Sequence, residues 1–295
     1  MGRRWWVVAV AVVTGVVALV HPQAADRTAH ASLVAPHSTA TTPADTPRPA
    51  APRSAEAPAP DLSAAVARAV GAAGDIDLGL AVVDLETGAT AGSDADTPFR
   101  SASLSKLLVA VDVLTAGEVP SADLDRLARA LSLSDDDAMN ALWTVHDGMG
   151  AIDRVAARAG LTDTHAPEDA SQWGDVEMSA RDVTRLYRYI ATDLPTADRD
   201  FVVTALTSAS PTAADGFDQA YGLLAPGSAT HSHTYAKQGW MWYLPADLHL
   251  HTSGVLADRH AVAVLSIQAN VDEQTAKDRL TSVTDALTAA LTPTG

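Results

Sequence analysis

Ser103-Leu104-Ser105-Lys106, at the head of the apolar run Leu107 to Leu114, is the stretch on which the reading of this chain turns. A helical period over that run puts Ser103 in the first turn and Lys106 one turn later on the same side, so the two side chains can meet. A serine hydroxyl is a weak nucleophile until its proton is removed, and a lysine amine removes it where the surroundings disfavour the ammonium. The positive end of the helix dipole pushes that way and also favours negative charge on the serine oxygen. The pattern is common by itself, since a helix-start serine followed by a solvated lysine is ordinary. Its setting here is less ordinary, because Lys106, Lys237 and Lys277 are the only three lysines in the sequence.

Upstream, Asp61 is a plausible N-cap for a helix carrying Leu62, Val66 and Val70, stopped between Gly71 and Gly74. Ile76, Leu78, Leu80 and Val82 alternate as one face of a strand, and Glu86-Thr87-Gly88 turns into a second short strand. Downstream, the sequence to about Leu206 is helical in pattern, over 103–114, 124–131, 138–145, 152–159 and 180–190, with no strand expected to interrupt it. Strands follow over 234–242, 249–256 and 261–267, the first two joined by a turn at Leu244-Pro245-Ala246-Asp247. Ala276, Leu280, Val283, Leu287 and Leu291 form a closing amphipathic helix behind Asp272 and Glu273. Strands at both ends around a helical insert predict an α+β fold: an antiparallel sheet flanked by terminal helices, plus an all-helical lobe. Ligands usually bind in the cleft between two such lobes.

Two further stretches carry chemistry. Ser134-Asp135-Asp136 precedes a helix containing Ala138, Asn140, Leu142 and Trp143; capping by Ser134 or Asp135 explains it structurally, and a hydroxyl that relays a proton explains it functionally. Lys237-Gln238-Gly239 enters Trp240-Met241-Trp242 on a strand. A strand tolerates glycine best where another backbone or a ligand approaches closely.

In this order, Ser-x-x-Lys at a helix start, Ser-Asp-x on the helical insert and Lys-x-Gly on a late strand resemble the signature of serine β-lactamases, class A in particular, and penicillin-binding proteins. The resemblance spans about Asp61 to Leu291 and implies the same sheet and helical insert that periodicity gives. It implies that Ser103 is acylated, Lys106 is the base, Ser134 relays the proton, and Lys237 holds a substrate carboxylate and tunes Ser134. Main-chain N–H groups of Ser103 and Trp240 would form the oxyanion hole, with Gly239 and Trp240 lining the substrate site and Asn140 bracing the active-site loop. Two positions depart from the pattern. Asp136 stands where asparagine is usual and cannot donate to a substrate carbonyl unless protonated. Gln238 replaces a hydroxyl that would contact the carboxylate. In the loop from Thr162 to Val176, Glu168 with Gln172 four residues on is similar to the family's Glu-x-x-x-Asn, which implies a water-activating role for Glu168, with Asp169 as its competitor.

The implied substrate is a small β-lactam or a peptidoglycan stem-peptide-like amide. The expected activity is hydrolysis through an acyl-enzyme at Ser103. A D,D-carboxypeptidase-like penicillin-binding protein and a non-catalytic binding module are the alternatives. No cofactor or metal is expected: a turn pairing Leu244 with Asp247 sets His249 opposite Trp242, His251 opposite Trp240 and His231 opposite His260, so the histidines do not converge. The net charge of −16 opposes a nucleic-acid partner, whose phosphates would be repelled.

Arg3 and Arg4, the apolar stretch Trp5 to Val20 and then His21-Pro22-Gln23 have the order of a secretory signal, with Ala29-His30-Ala31 as the clearest cleavage site. The first 31 residues are therefore expected to be a signal peptide or a membrane anchor. Residues 32–60, rich in Ala, Pro and Thr, have the composition of a disordered linker, and 61–295 that of the hydrolase domain. The sequence contains no cysteine, so neither a disulfide nor a lipobox thioether is available in it. A monomer is expected, secreted or anchored on the outer face of the cytoplasmic membrane.

Overall fold

Asp61 caps the first described helix: its carboxylate accepts from the Ser63 and Ala64 N–H groups at 3.0 and 3.1 Å. The computed structural model describes residues 61–227, 233–243 and 246–291. The segments read as signal and linker, together with His231 and the Leu244-Pro245 part of the turn, lie outside the described residues. In α1 (Leu62–Ala73), Leu62 and Val66 are buried with Ala65 and Ala69, while Val70 stays partly in solvent.

β1 (Asp77–Asp84) and β2 (Thr90–Ser93) form the expected pair, with Leu80 opposite Ser93 and Val82 opposite Ala91. β1 is buried on both faces. Leu80 and Val82 pack on one side with α1, and Ala81 and Val83 on the other with the helical lobe. Each large apolar side chain buried in this way contributes roughly 1.5–3 kcal/mol. The late strands are β5 (Tyr235–Tyr243), β6 (Asp247–Leu256) and β7 (His260–Ala269). Together the five form one antiparallel sheet in the order β2-β1-β7-β6-β5, so the first strand lies against the last and β5 is an edge. The closing helix, α8 (Glu273–Leu291), buries all five of its predicted apolar residues.

The helical lobe holds α2 (Ser105–Thr115), α3 (Ser121–Ser132), α4 (Asp136–Val145), α5 (Gly148–Ala159), α6 (Ala180–Thr192) and α7 (Thr196–Thr207). Three expectations are corrected. A strand does interrupt the helical stretch: β4 (Glu177–Ser179) pairs with β3 (Pro98–Arg100). At three residues each, both are too short for alternation to register, and their pairing across distant sequence is what forms them. α7 is an additional helix; its buried set, Val202, Ala205 and Leu206, is too narrow to read as a stripe. The third correction is the β5–β6 register. Tyr243 pairs with Asp247, which leaves three residues between the strands rather than two, and every partner moves by one. His251 therefore faces Gly239 and His249 faces Met241, not the two tryptophans. A one-residue slip moves a side chain to the other face of the sheet, so this register decides what packs beneath the candidate site.

Candidate active site

The turn that presents Ser103 is anchored from below. His251 is fully buried, and burial depresses its imidazole to about 3, so the ring is neutral. In that state Nε2 donates to the Arg100 carbonyl at 2.7 Å while Nδ1 accepts from the Ser266 N–H at 3.2 Å. The next residue, Ser101, donates its N–H to the Val176 carbonyl at 2.7 Å. A single 3-10 turn, Ala102–Leu104, then leads into α2. Gly239, on β5, lets this turn come close: a Cβ there would lie 2.8 Å from the Ser101 carbonyl oxygen and 3.2 Å from Leu104. Gly239→Ala is expected to cost about 1–3 kcal/mol through overpacking. Thermal unfolding checks this, and an unchanged melting temperature would contradict the contact.

Ser103 and Lys106 meet within hydrogen-bond distance. Lys106 Nζ donates to Ser103 Oγ at 2.6 Å, to the Ser134 carbonyl at 3.0 Å and to Asp136 Oδ1 at 2.6 Å. Its ammonium also lies 4.3 Å from the Trp173 ring centroid. From the sheet side, Lys237 Nζ donates to Ser134 Oγ at 2.6 Å and to the Gln238 carbonyl at 2.9 Å. Both lysines are 1% exposed. Burial lowers the Lys106 amine, with the nearby carboxylate of Asp136 the largest opposing influence. Lys237 is pushed well below the ordinary lysine value, by burial first and then by the charge of Lys106. The Lys106–Ser103 and Lys237–Ser134 pairs are thus joined through the Ser134 carbonyl, which accepts from Lys106, and not through the Ser134 hydroxyl.

Backbone strain marks the same place. Ala102 and Ser134, neither of them glycine, have φ of 47° and 54°, in the left-handed region. Such residues cost of order 1–3 kcal/mol and persist where surrounding contacts over-determine them. Around Ser134 those contacts are Lys106, Lys237 and the cap of α4, in which Asp135, rather than Ser134, accepts from the Ala138 N–H at 2.9 Å.

Ser103 opens into a cavity of about 310 Å³, with Asp136, Asn140, Trp173, Trp240 and Met241 among its walls. Asn140 Oδ1 accepts from Trp173 Nε1 at 2.8 Å, and Trp143 Nε1 donates to the Ala170 carbonyl at 2.8 Å, so α4 clasps the loop after α5 at two points. Of the candidate residues Ser103, Asp136, Asn140 and Trp240 are on the cavity wall; Lys106, Ser134, Lys237 and Gly239 are buried and not on it, and Gln238 and Glu168 face elsewhere. Gln238 is fully buried and its amide donates to the Tyr221 carbonyl, because strand alternation turns it to the opposite face of the sheet from Lys237 and Gly239. Glu168 is exposed and absent from the cavity wall. In its loop Ser171 to Gly174 face the cavity, and Asp169 closes its own turn on Ser171. Asp136 lines the cavity but binds Lys106, a partner the sequence did not reveal. Trp173 and Asp215, whose carboxylate accepts from Trp240 Nε1 at 3.4 Å, were also not foreseen; nothing in their local sequence distinguishes them.

Comparison with known proteins gives this arrangement its family. The family model described as the beta-lactamase enzyme family matches residues 61–128, which contain Ser103 and Lys106. Proteins named "Putative lipoprotein LppW" from Mycobacterium tuberculosis and Mycobacterium bovis are 30% identical over 213 residues, covering 69% of this chain and 67% of each relative. A β-lactamase from Chitinophaga pinensis superposes with a TM-score of 0.64 at 16% identity, over 78% of this chain and 98% of that one. The chain belongs to the same family as these LppW proteins and has a β-lactamase-like fold. TLA-3, an extended-spectrum β-lactamase, superposes equally well at 0.64, with 12% identity over 78% of this chain and 99% of that one. At such identities the likeness is one of fold, an α+β antiparallel sheet with a helical lobe. Asp136 and Gln238 remain departures from the motif pattern described in the sequence.

Proposed function

We propose that this protein is an exported serine hydrolase that opens β-lactams or related amides through an acyl-enzyme at Ser103. The observation that carries this reading is the juxtaposition of the pairs Ser103–Lys106 and Ser134–Lys237, with 2.6 Å between the paired atoms in each. In the proposed reaction Ser103 Oγ attacks the acyl carbon and its proton passes to the neutral Lys106 amine. Ser134 then gives its proton to the leaving nitrogen and takes one from Lys237, whose Nζ lies 2.6 Å from its Oγ, while the Ser103 proton stays on Lys106. The oxyanion hole is assigned to the main-chain N–H groups of Ser103 and Trp240. Export rests on Arg3, Arg4 and the apolar stretch Trp5 to Val20, alongside relatives named as lipoproteins. Among the described residues no helix is long and apolar enough to cross a membrane.

Deacylation needs an activated water, and Asp136, the only carboxylate on the cavity wall among the described residues, is held by Lys106. This favours a second reading, a D,D-carboxypeptidase-like penicillin-binding protein on which penicillin remains attached. A fluorescent penicillin and a chromogenic cephalosporin separate the two. Turnover of the cephalosporin supports hydrolysis, and persistent labelling without turnover supports the second reading. Absence of serine-dependent labelling by either reagent contradicts both.

Asp136 also sets a pH dependence. A carboxylate 2.6 Å from Nζ favours the ammonium, so its removal lowers the pKa of Lys106. The competent base is the neutral amine, so the acid limb of the acylation rate in Asp136→Asn is expected at lower pH than in the parent. A limb that stays in place or moves to higher pH contradicts the pairing.

A further inference from the structure

The peptide between Gly239 and Trp240 is held from behind by a segment that takes no part in the proposed proton transfers. Tyr221, 1% exposed, directs its hydroxyl at the Gly239 carbonyl, 3.2 Å away, and at the His251 carbonyl, 3.1 Å away. Gly239 and His251 are partners in the β5–β6 register, so two opposed carbonyls share one donor and the Gly239 oxygen points toward β6. In a planar trans peptide the following N–H points the opposite way. The Trp240 N–H is thereby aimed at the free edge of β5, where the cavity lies. Burial holds the Tyr221 hydroxyl well above the ordinary tyrosine value, so it keeps its proton and donates across the neutral range.

The Trp240 side chain is gripped by the same segment. Phe217 stacks on its indole with ring centroids 4.4 Å apart and planes 5° from parallel, and meets Tyr221 edge-on at 6.3 Å. Lys277 places its ammonium 4.1 Å from the Phe217 ring centroid and is itself tied to Glu273 at 2.6 Å. The segment is fastened on two sides. The Ala214 N–H donates to the carbonyl of Leu133, the residue before Ser134, at 2.8 Å, and the buried Gln238 amide donates to the Tyr221 carbonyl. Tyr221, Phe217, Gln238 and Lys277 are all absent from the cavity wall.

We propose, resting on the acyl-enzyme reading of Ser103, that Tyr221 and Phe217 are positioning residues for acyl transfer. The Tyr221 hydroxyl fixes the plane of the Gly239–Trp240 peptide and the Phe217 ring fixes the Trp240 side chain. Together they keep the Trp240 N–H aimed at the carbonyl oxygen as negative charge develops on it. Loss of a whole oxyanion donor costs roughly 10²–10³ in rate, and a donor left free to tilt costs less. Binding of the uncharged ground state should hardly change.

The test follows the intact mass of the full-length protein mixed with rising concentrations of penicillin, which separates the saturating acylation rate from the half-saturating concentration. Tyr221→Phe removes one oxygen and keeps the ring. It is expected to lower the saturating rate at least about tenfold, with the half-saturating concentration within about twofold of the parent. Phe217→Leu is expected to act in the same way, and Phe217→Tyr, which keeps a ring on the indole, to recover most of the parental rate. Melting curves identify the folded variants, and if Tyr221→Phe does not fold the two Phe217 variants carry the comparison. Acylation at the parental saturating rate by folded Tyr221→Phe or Phe217→Leu overturns the proposal. So does a loss confined to the half-saturating concentration, or one shared equally by Phe217→Tyr. A parent that is never labelled contradicts the acyl-enzyme reading and this inference with it, whereas a labelled parent with unaffected variants contradicts this inference alone.

Discussion

Ser103→Ala is expected to abolish covalent labelling by penicillin, with a fall in acylation rate on the order of 10³-fold or more, the scale seen when a nucleophile is removed from a group that works as a unit. Ser103 is 4% exposed, and among the described residues its Oγ has one hydrogen bond, from Lys106. Truncation therefore removes one atom and leaves Lys106 with two partners, the Ser134 carbonyl and Asp136. Stability should change by no more than about 1 kcal/mol, the net worth of one hydrogen bond. The turn itself is held by contacts that the substitution does not touch, from His251 to Arg100 and from Ser101 to Val176. A folded variant that is labelled at the parental rate would show that the nucleophile lies elsewhere. Intact-protein mass after timed exposure to penicillin, with a melting curve of the same sample, separates lost chemistry from lost fold.

Lys106→Ala is expected to slow acylation by about 10²–10⁴-fold, the usual contribution of a positioned general base. Substrate binding should suffer less, because the Lys106 ammonium has its three protons on protein atoms. The structural consequences are bounded. Asp136 is more than half exposed and can be rehydrated once its partner is gone, whereas the buried Ser134 carbonyl loses a donor. Loss of about 1–3 kcal/mol for that unsatisfied group is the expected stability change. The alkaline end of the rate profile gives a sharper reading. If Lys106 is the base, raising pH does not rescue the alanine variant, since no amine remains to be deprotonated, while the parent gains rate as its amine loses a proton. Acylation by Lys106→Ala at the parental rate across pH would remove Lys106 from the base role.

The two lobes were legible in the sequence because their large elements have wide apolar stripes. α8 buries each of the five residues that its period selects, and Ile76, Leu78, Leu80 and Val82 share one side of the sheet as expected, although β1 is buried on both. Elements of three residues, β3 and β4, exist only because they pair with each other across distant sequence, and a local pattern cannot record that. The β5–β6 register depended on one residue of loop length, and the slip put His251 under Gly239 instead of Trp240. The candidate site divides in the same way. Ser103 and Lys106 are three residues apart on one helical turn, so their meeting follows from local geometry. The contact of Lys237 with Ser134, 103 residues apart, was inferred from motif order alone. Side-chain direction was the least legible property. Gln238 and Glu168 are of the right type but turn away from the cavity, whereas Asp136 turns into it and pairs with a lysine 30 residues earlier. Trp173 reaches the cavity only because Asn140 and Trp143 tie down its loop, a tertiary arrangement without a sequence signature.

In the proposed reaction one oxygen, Ser103 Oγ, takes the acyl group. The most direct test is peptide mapping by mass spectrometry after the purified protein has been incubated with a penicillin and quenched in acid. A single adduct is expected on the peptide containing Ser103, at the mass of the intact opened drug and absent from Ser103→Ala. An adduct on any other residue, or none at a concentration and time sufficient to label a known penicillin-binding protein, would contradict it.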